Sequence, residues 1–241
     1  MPKFFHKSLC KTRDLQNHPF SLCIVYNRKV DVLQQAWQAF DQGDLEQARA
    51  LYEQHLKNHP QDEQARFGLG YVLVQLGEFN EAETLYQGLF EEAVQHHDPR
   101  AHQAMHQIGM IHRVQGDYER ALHAFEQEKP LIPDDFFPKA INAYELGMCL
   151  LRLGNLEKAS VELYSSLFFA QKSTDLIAQA CAYRGIGELH LAQDNFSEAQ
   201  PAFLEAMRCF DTAGEKRGVE DIVEYIKELE EASKNRSENA N

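Results

Sequence analysis

The sequence has few of the residues that mark secreted, membrane-spanning or zinc-binding proteins. Its 241 residues include only five cysteines, and their odd number, without a Cys-x-x-Cys pair, favours reduced thiols in a cytoplasmic protein. No apolar run approaches the roughly 18 residues that a membrane helix needs, and the N-terminus lacks the apolar core of a signal peptide. The sequence therefore predicts neither secretion nor a membrane span.

Basic residues are also scarce over most of the chain. Lys and Arg number 24 against 37 Asp and Glu, which gives a formal net charge of −13. A nucleic-acid binder needs a basic face that displaces counterions, so we expect no nucleic-acid partner. Residues 1–30 are the exception, because they hold six bases and only one acid.

Residues 1–29 show no helical periodicity and are predicted to form a basic N-terminal segment outside the repeat. Four interpretations are open: a flexible tail, a targeting peptide, a short folded extension, and a leader that is not translated. The last rests on Val30, which directly precedes the first predicted helix, since valine codons can start translation in bacteria. On that hypothesis residues 1–29 are a start-site artefact.

A ten-residue pattern occurs five times, with a turn residue first, an alanine five residues later and a large apolar residue at the end. Its copies are Gly43–Tyr52, Gly77–Tyr86, Gly116–Phe125, Gly154–Leu163 and Asp194–Phe203. A second column of small residues stands seven residues before each turn: Ala36, Gly70, Gly109, Gly147 and Gly187. Both small columns advance by 34, 39, 38 and 40 residues, and a common register through unequal steps indicates a true repeat.

Apolar residues at i, i+3, i+4 and i+7 on both sides of the turns predict helix pairs. Small residues where two helices cross let the backbones approach closely. A glycine inside a helix costs about 1 kcal/mol of helix propensity, so a column of glycines indicates a packing role. One more amphipathic helix is predicted over Glu215–Ser233, with an apolar stripe at Val219, Ile222, Val223, Ile226 and Leu229. It would cap the array, and residues 234–241 are predicted to be a disordered tail.

These columns resemble those of the tetratricopeptide repeat (TPR) family over about residues 30–214. The later spacings are longer than the family's usual 34 residues, and the first repeat is atypical. The resemblance implies an all-α fold, a right-handed α-α superhelical solenoid of about five TPR-like helix pairs. With its capping helix, this solenoid is expected to span residues 30–233 as one body.

The resemblance also implies a function. In this family the first helix of each pair lines a concave groove that binds a peptide or a partner protein, so we expect a protein-interaction scaffold or adaptor. The longer repeats are also similar to those of bacterial peptide-pheromone receptors of the Rap and PlcR type, which makes a regulatory peptide sensor the alternative. Those receptors have an N-terminal effector domain, and residues 1–29 are too short to form one.

The predicted groove residues lie beside the small column on the first helices. They are apolar and aromatic at the N-terminal end and more charged at the C-terminal end: Leu33, Trp37, Phe40, Phe67, Tyr71, Val74, His106, Met110, Arg113, Tyr144, Met148, Arg184 and Glu188. Aromatic, methionine and arginine side chains are enriched at the hot spots of protein interfaces. We expect a protein or linear peptide to bind there.

Histidines are concentrated between His96 and His123. His102 and His106 have the i, i+4 spacing with which two residues of one helix can hold a metal ion. The glutamate of the zinc-protease motif is missing between them, and no cysteine or carboxylate cluster completes a site. Because no Gly-rich phosphate loop or nucleophile motif occurs either, we expect no metal, no cofactor and no enzymatic activity.

Overall fold

The structure, a computed structural model, describes residues 32–239, and it describes side-chain surroundings for residues 32–231. Within the described range the chain forms α-helices and one short 3-10 helix, Lys129–Leu131, with no strand. The α-helices are α1 Val32–Asp41, α2 Leu45–Asn58, α3 Glu63–Leu76, α4 Phe79–Gln95, α5 Ala101–Val114, α6 Tyr118–Glu128, α7 Phe136–Arg152, α8 Leu156–Ser173, α9 Leu176–Ala192, α10 Phe196–Thr212 and α11 Lys216–Asn239. None of these helices is both long and apolar enough to span a bilayer.

The helices follow the predicted repeat. Five pairs, each joined by a short turn, precede the final helix α11, which confirms the all-α repeat fold. Contacts divide the chain into two compact units: the N-terminal unit ends at Gln115 and contains α1–α5, and the C-terminal unit begins at Gly116 and contains α6–α11. One continuous solenoid over residues 30–233 stays a prediction, and the interpretations of residues 1–29 lie outside the described residues.

Two adjacent residues form the turn inside each pair: the first, with a positive φ, ends the first helix, and the second precedes the second helix. After α1, Gly43 has a φ of 81°, and the next backbone N–H, that of Asp44, donates to the carbonyl of Ala39 over 2.9 Å. The Asp44 side chain then accepts from the N–H of Gln47 over 3.2 Å and caps α2. In the fifth pair Asp194 stands in place of the glycine, with a φ of 58°.

The small column packs against the large residue that ends the same repeat. A Cβ atom on Gly187 would lie 2.6–2.9 Å from three ring atoms of Phe203, and a Cβ atom on Gly147 would lie 2.6 Å from Cγ of Leu163. A Cβ atom on Gly185, in the following pair, would also lie 2.6 Å from Leu163. The large residue therefore fills the space between one pair and the next, as the columns predict.

Helix α11 packs as a cap, and four of the five residues of its predicted stripe pack against the core. Ile222 and Leu229 are buried as expected, whereas Val223 of the predicted stripe is 37% exposed. Tyr225 packs instead, with its ring stacked on Phe203 at 5.2 Å between centroids. The packed positions are 219, 222, 225, 226 and 229, which lie on one face of the helix, and position 223 lies about 100° away from 222 around the helix.

The C-terminal end of α11 also extends beyond its predicted boundary. The amphipathic pattern predicts an end at Ser233, but the helix continues to Asn239. Residues 234–239 are therefore helical in this structure and do not form the disordered tail that the sequence predicts. The added stretch contains neither glycine nor proline, the residues that most strongly end a helix.

Candidate binding face on the first helices

The thirteen predicted groove residues share a register. Each lies three residues before, one residue after or four residues after the small column of its own first helix. Eight of them are buried: Phe40, Tyr71, Val74, Met110, Tyr144, Met148, Arg184 and Glu188. Solvent reaches the other five, which are the half-buried Leu33, Phe67, His106 and Arg113 and the exposed Trp37. All five lie in the N-terminal unit.

In the N-terminal unit, aromatic side chains on α1 and α3 form a packed base with an accessible edge. Trp37 is 37% exposed and its ring lies 5.4 Å from that of Phe40, which is buried. Phe67 is half-buried and its ring lies 5.6 Å from that of Tyr86. The Tyr86 hydroxyl donates to the backbone carbonyl of Phe67 over 3.3 Å. Trp37 and Phe67 therefore each pack against a buried ring.

The tyrosines beneath this edge are structural. Burial raises the pKa of Tyr52 to about 12, and it raises the pKa of Tyr71 and of Tyr86 further. Tyr71 is 5% exposed and its ring lies 6.3 Å from that of Tyr86. These phenols stay neutral at physiological pH, and their position in the core gives them no access to a proton-transfer partner in solvent.

Helix α5 contributes polar groups at the same register. His106 and Arg113 are half-buried on α5, which packs against α4. The neighbouring His112 is 6% exposed, and its Nε2 lies 3.5 Å from Oε1 of Glu83. No group of three or more His, Cys, Asp or Glu side chains within the described part of the chain is arranged to hold a metal ion.

In the C-terminal unit, the groove positions are engaged in contacts with one another and with their neighbours. Arg184 donates to the Tyr144 hydroxyl over 2.5 Å, and its guanidinium lies 5.7 Å from the centroid of the Tyr144 ring. Glu188 accepts from Arg152 over 2.9 Å and from the Tyr225 hydroxyl over 3.1 Å. Burial acts to lower the pKa of Arg152, but the charge of Glu188 and the smaller contributions of Tyr225, Tyr118 and Tyr144 together outweigh it, and the pKa is raised.

Arg152 and Tyr225 are the residues that sequence reasoning missed. Arg152 lies one turn beyond Met148, at the end of α7, and Tyr225 lies on α11. Each gives Glu188 a hydrogen-bond partner, so the charged C-terminal part of the predicted groove is internal in this structure. The role of Tyr144, Met148, Arg184 and Glu188 in binding a partner stays a prediction.

Sequence comparison assigns the family. Three sequence models of the tetratricopeptide repeat match the chain, over residues 39–108, 87–136 and 139–212, and together they span more than half of it. The chain belongs to the tetratricopeptide repeat family. No curated protein sequence matches it significantly.

Solved structures share the fold. A thermophilic TPR protein of Thermus thermophilus is 20% identical, with a TM-score of 0.60 over 80% of this chain and 97% of that one. MamA from Desulfovibrio magneticus RS-1 is 17% identical, with a TM-score of 0.56 over 75% of this chain and 94% of that one. The APC/C hetero-tetramer Cut9-Hcn1 matches with 16% identity and a TM-score of 0.61, over 81% of this chain but only 36% of the matched chain.

Proposed function

We propose that the protein is an interaction module that binds a peptide or an extended segment of a partner protein through the first helices of its N-terminal unit. The observation that supports this most directly is the exposure of Trp37 beside half-buried Leu33 and Phe67. A tryptophan supported by packed rings supplies a large contact area with little side-chain entropy to lose. Its burial by a partner would stabilise the complex.

The residue types suggest what such a partner presents. Leu33, Trp37 and Phe67 offer apolar contacts, while His106 and Arg113 offer polar groups on α5 at the same register. We therefore expect a segment with at least one large apolar side chain and with hydrogen-bond acceptors. In this proposal the protein acts by binding, as a scaffold or adaptor, and it has no catalytic role. The alternative role as a peptide sensor of the Rap or PlcR type stays a prediction.

Photocrosslinking in cells that express the protein natively tests the proposal. A photoreactive phenylalanine analogue replaces Trp37 in one variant, and in the matched control it replaces Gln87, an exposed residue of the second helix α4. We expect a discrete crosslinked partner from position 37 and none from position 87. Crosslinks to the same partner from position 87 alone would contradict the proposed face.

The captured partner then allows a quantitative test. Truncation of a hot-spot aromatic commonly costs about 2 kcal/mol or more, so Trp37→Ala is expected to weaken binding by at least about tenfold. Gln87→Ala is expected to leave the affinity unchanged. Circular dichroism and thermal unfolding of both variants show whether the fold is intact. Unchanged affinity in a folded Trp37→Ala protein would refute the proposal.

A further inference from the structure

The outward face of α8 differs from the same face of every other second helix. The positions two, five and nine residues after the repeat's alanine are exposed in all five pairs. In the described pairs other than the fourth they are mostly polar or small: Ala50, Glu53 and Lys57; Thr84, Gln87 and Glu91; His123, Glu126 and Pro130; Pro201, Leu204 and Arg208. In α8 they are Val161, Tyr164 and Phe168. The Tyr164 hydroxyl lies 3.2 Å from Nε2 of His190, and the Phe168 ring lies 5.5 Å from that of Phe169 and 5.8 Å from Nζ of Lys172, but these contacts leave all three side chains exposed.

These three residues belong to a longer stripe on one side of α8. Val161, Tyr164 and Phe168 are 63%, 47% and 53% exposed, and Glu157 and Lys172, at the two ends, are also exposed. Steps of four, three, four and four residues keep all five side chains within one face of a helix. At 1.5 Å per residue the stripe is about 22 Å long. Adjacent exposed apolar side chains of this kind are a candidate interaction surface.

The order of residues along the stripe is self-complementary. A two-fold axis places the same surface of two copies face to face, and when the axis is perpendicular to α8 the two α8 helices are antiparallel. In the register that sets Val161 opposite Phe168 of the second copy, Glu157 lies opposite Lys172 of the second copy, because both pairs have the same midpoint in the sequence. Tyr164 then lies next to the axis. Two symmetry-related ion pairs would flank one apolar centre.

We propose that the chain forms a homodimer through this face, with α8 packed antiparallel against α8 of a second copy. Glu157 and Lys172 of the second copy can meet only if the two helices cross at a shallow angle near 20°. These residues lie about 11 Å along the helix from the two-fold axis, and a crossing near 50° would separate them. Glu157 at the start of α8 and Lys172 at its end also complement the helix dipole. The helix dipole alone would account for each of these two charges, but it does not account for the exposed apolar residues between them.

This dimer is separate from the proposed peptide-binding face, because it uses a second helix of the C-terminal unit. Its specificity follows from the charges: the parallel arrangement would place Glu157 against Glu157 and Lys172 against Lys172. Like-charge contacts of this kind disfavour the wrong orientation. The order of charged and apolar residues therefore fits a second copy of the chain in one orientation.

Analytical ultracentrifugation of the full chain tests the dimer. We expect the wild type to show a reversible monomer–dimer equilibrium. Glu157→Lys and Lys172→Glu each turn both flanking pairs into like-charge contacts, so each is expected to raise the dimer dissociation constant at least about tenfold. The double variant Glu157→Lys/Lys172→Glu restores both pairs with exchanged signs, and its dissociation constant is expected to return close to that of the wild type.

The control is Glu46→Lys, at the position of α2 that is equivalent to Glu157 and is likewise exposed; it is expected to leave the dissociation constant unchanged. All of these changes lie on exposed positions, so the variants are expected to fold. A wild-type chain that remains monomeric at every accessible concentration overturns the proposal and would leave the stripe to a partner of different sequence. A dimer that the single reversals do not weaken, or that the double reversal does not restore, overturns it as well.

Discussion

Replacement of Gly187 by alanine tests whether the glycine column is there for packing. Helix propensity alone predicts that Gly187→Ala stabilises the protein by about 1 kcal/mol, because the residue lies inside α9. The packing predicts the opposite result. The new Cβ atom would lie 2.6–2.9 Å from three ring atoms of Phe203, and that ring is fully buried, so it has no space into which it can move.

The size of the effect follows from these two opposing contributions. Overpacking a buried site costs about 1–3 kcal/mol, and the propensity gain offsets about 1 kcal/mol of it, so the net change expected for Gly187→Ala is a loss of up to about 2 kcal/mol in the free energy of unfolding. The matched control is Gly88→Ala inside α4, where, among the described residues, the one atom near the new Cβ is Nη2 of Arg66 at 3.3 Å. That flexible group can shift, so the control is expected to gain up to about 1 kcal/mol.

Urea denaturation followed by circular dichroism measures both variants against the wild type. A third variant, Gly187→Ala/Phe203→Leu, removes part of the ring that the new Cβ meets, so the two changes together are expected to cost less than their sum. Stabilisation by Gly187→Ala equal to that of Gly88→Ala would refute the packing explanation. Additive costs in the double variant would also contradict it.

Three further changes have outcomes fixed by the local structure. Asp194→Gly replaces a residue at a φ of 58° and is expected to raise the free energy of unfolding by about 1 kcal/mol in urea titrations. The hydrogen bond from Arg100 lowers the pKa of Asp98 in the folded protein to about 2. The Asp98 carboxylate therefore stabilises the fold fully above its unfolded pKa, and this contribution declines as the pH falls. The difference in unfolding free energy between wild type and Asp98→Asn should narrow below about pH 4. Arg152→Met leaves the carboxylate of Glu188 buried without its cation and is expected to cost about 3 kcal/mol or more by thermal unfolding, part of which returns when Glu188 is also made apolar.

The parts of the fold that depend on local sequence could be predicted. A turn such as Gly43-Asp44 needs only a residue that tolerates positive φ and a side chain that caps the next helix. The small column could be predicted because it repeats, and repetition separates packing positions from chance glycines. Ile222 and Leu229 on α11 were correctly predicted as buried from amphipathic spacing alone.

The accessible face could be predicted only in part, because exposure depends on neighbours that are distant in sequence. The register placed Trp37 and Glu188 in the same row, one residue after the small column, yet Trp37 is exposed and Glu188 is buried. Arg184 meets Tyr144, forty residues earlier, and Glu188 meets Tyr225 on the last helix. No periodicity in the sequence indicates that these long polar side chains turn towards one another.

The proposed peptide-binding face is tested most directly by the fluorescence of Trp37. It is the only tryptophan in the chain, so its emission reports on this one position. When the partner captured by crosslinking is titrated into the protein, we predict that the emission shifts to shorter wavelength and that acrylamide quenching decreases, both with the midpoint measured independently for binding. Saturated binding with unchanged emission and unchanged quenching would contradict the account.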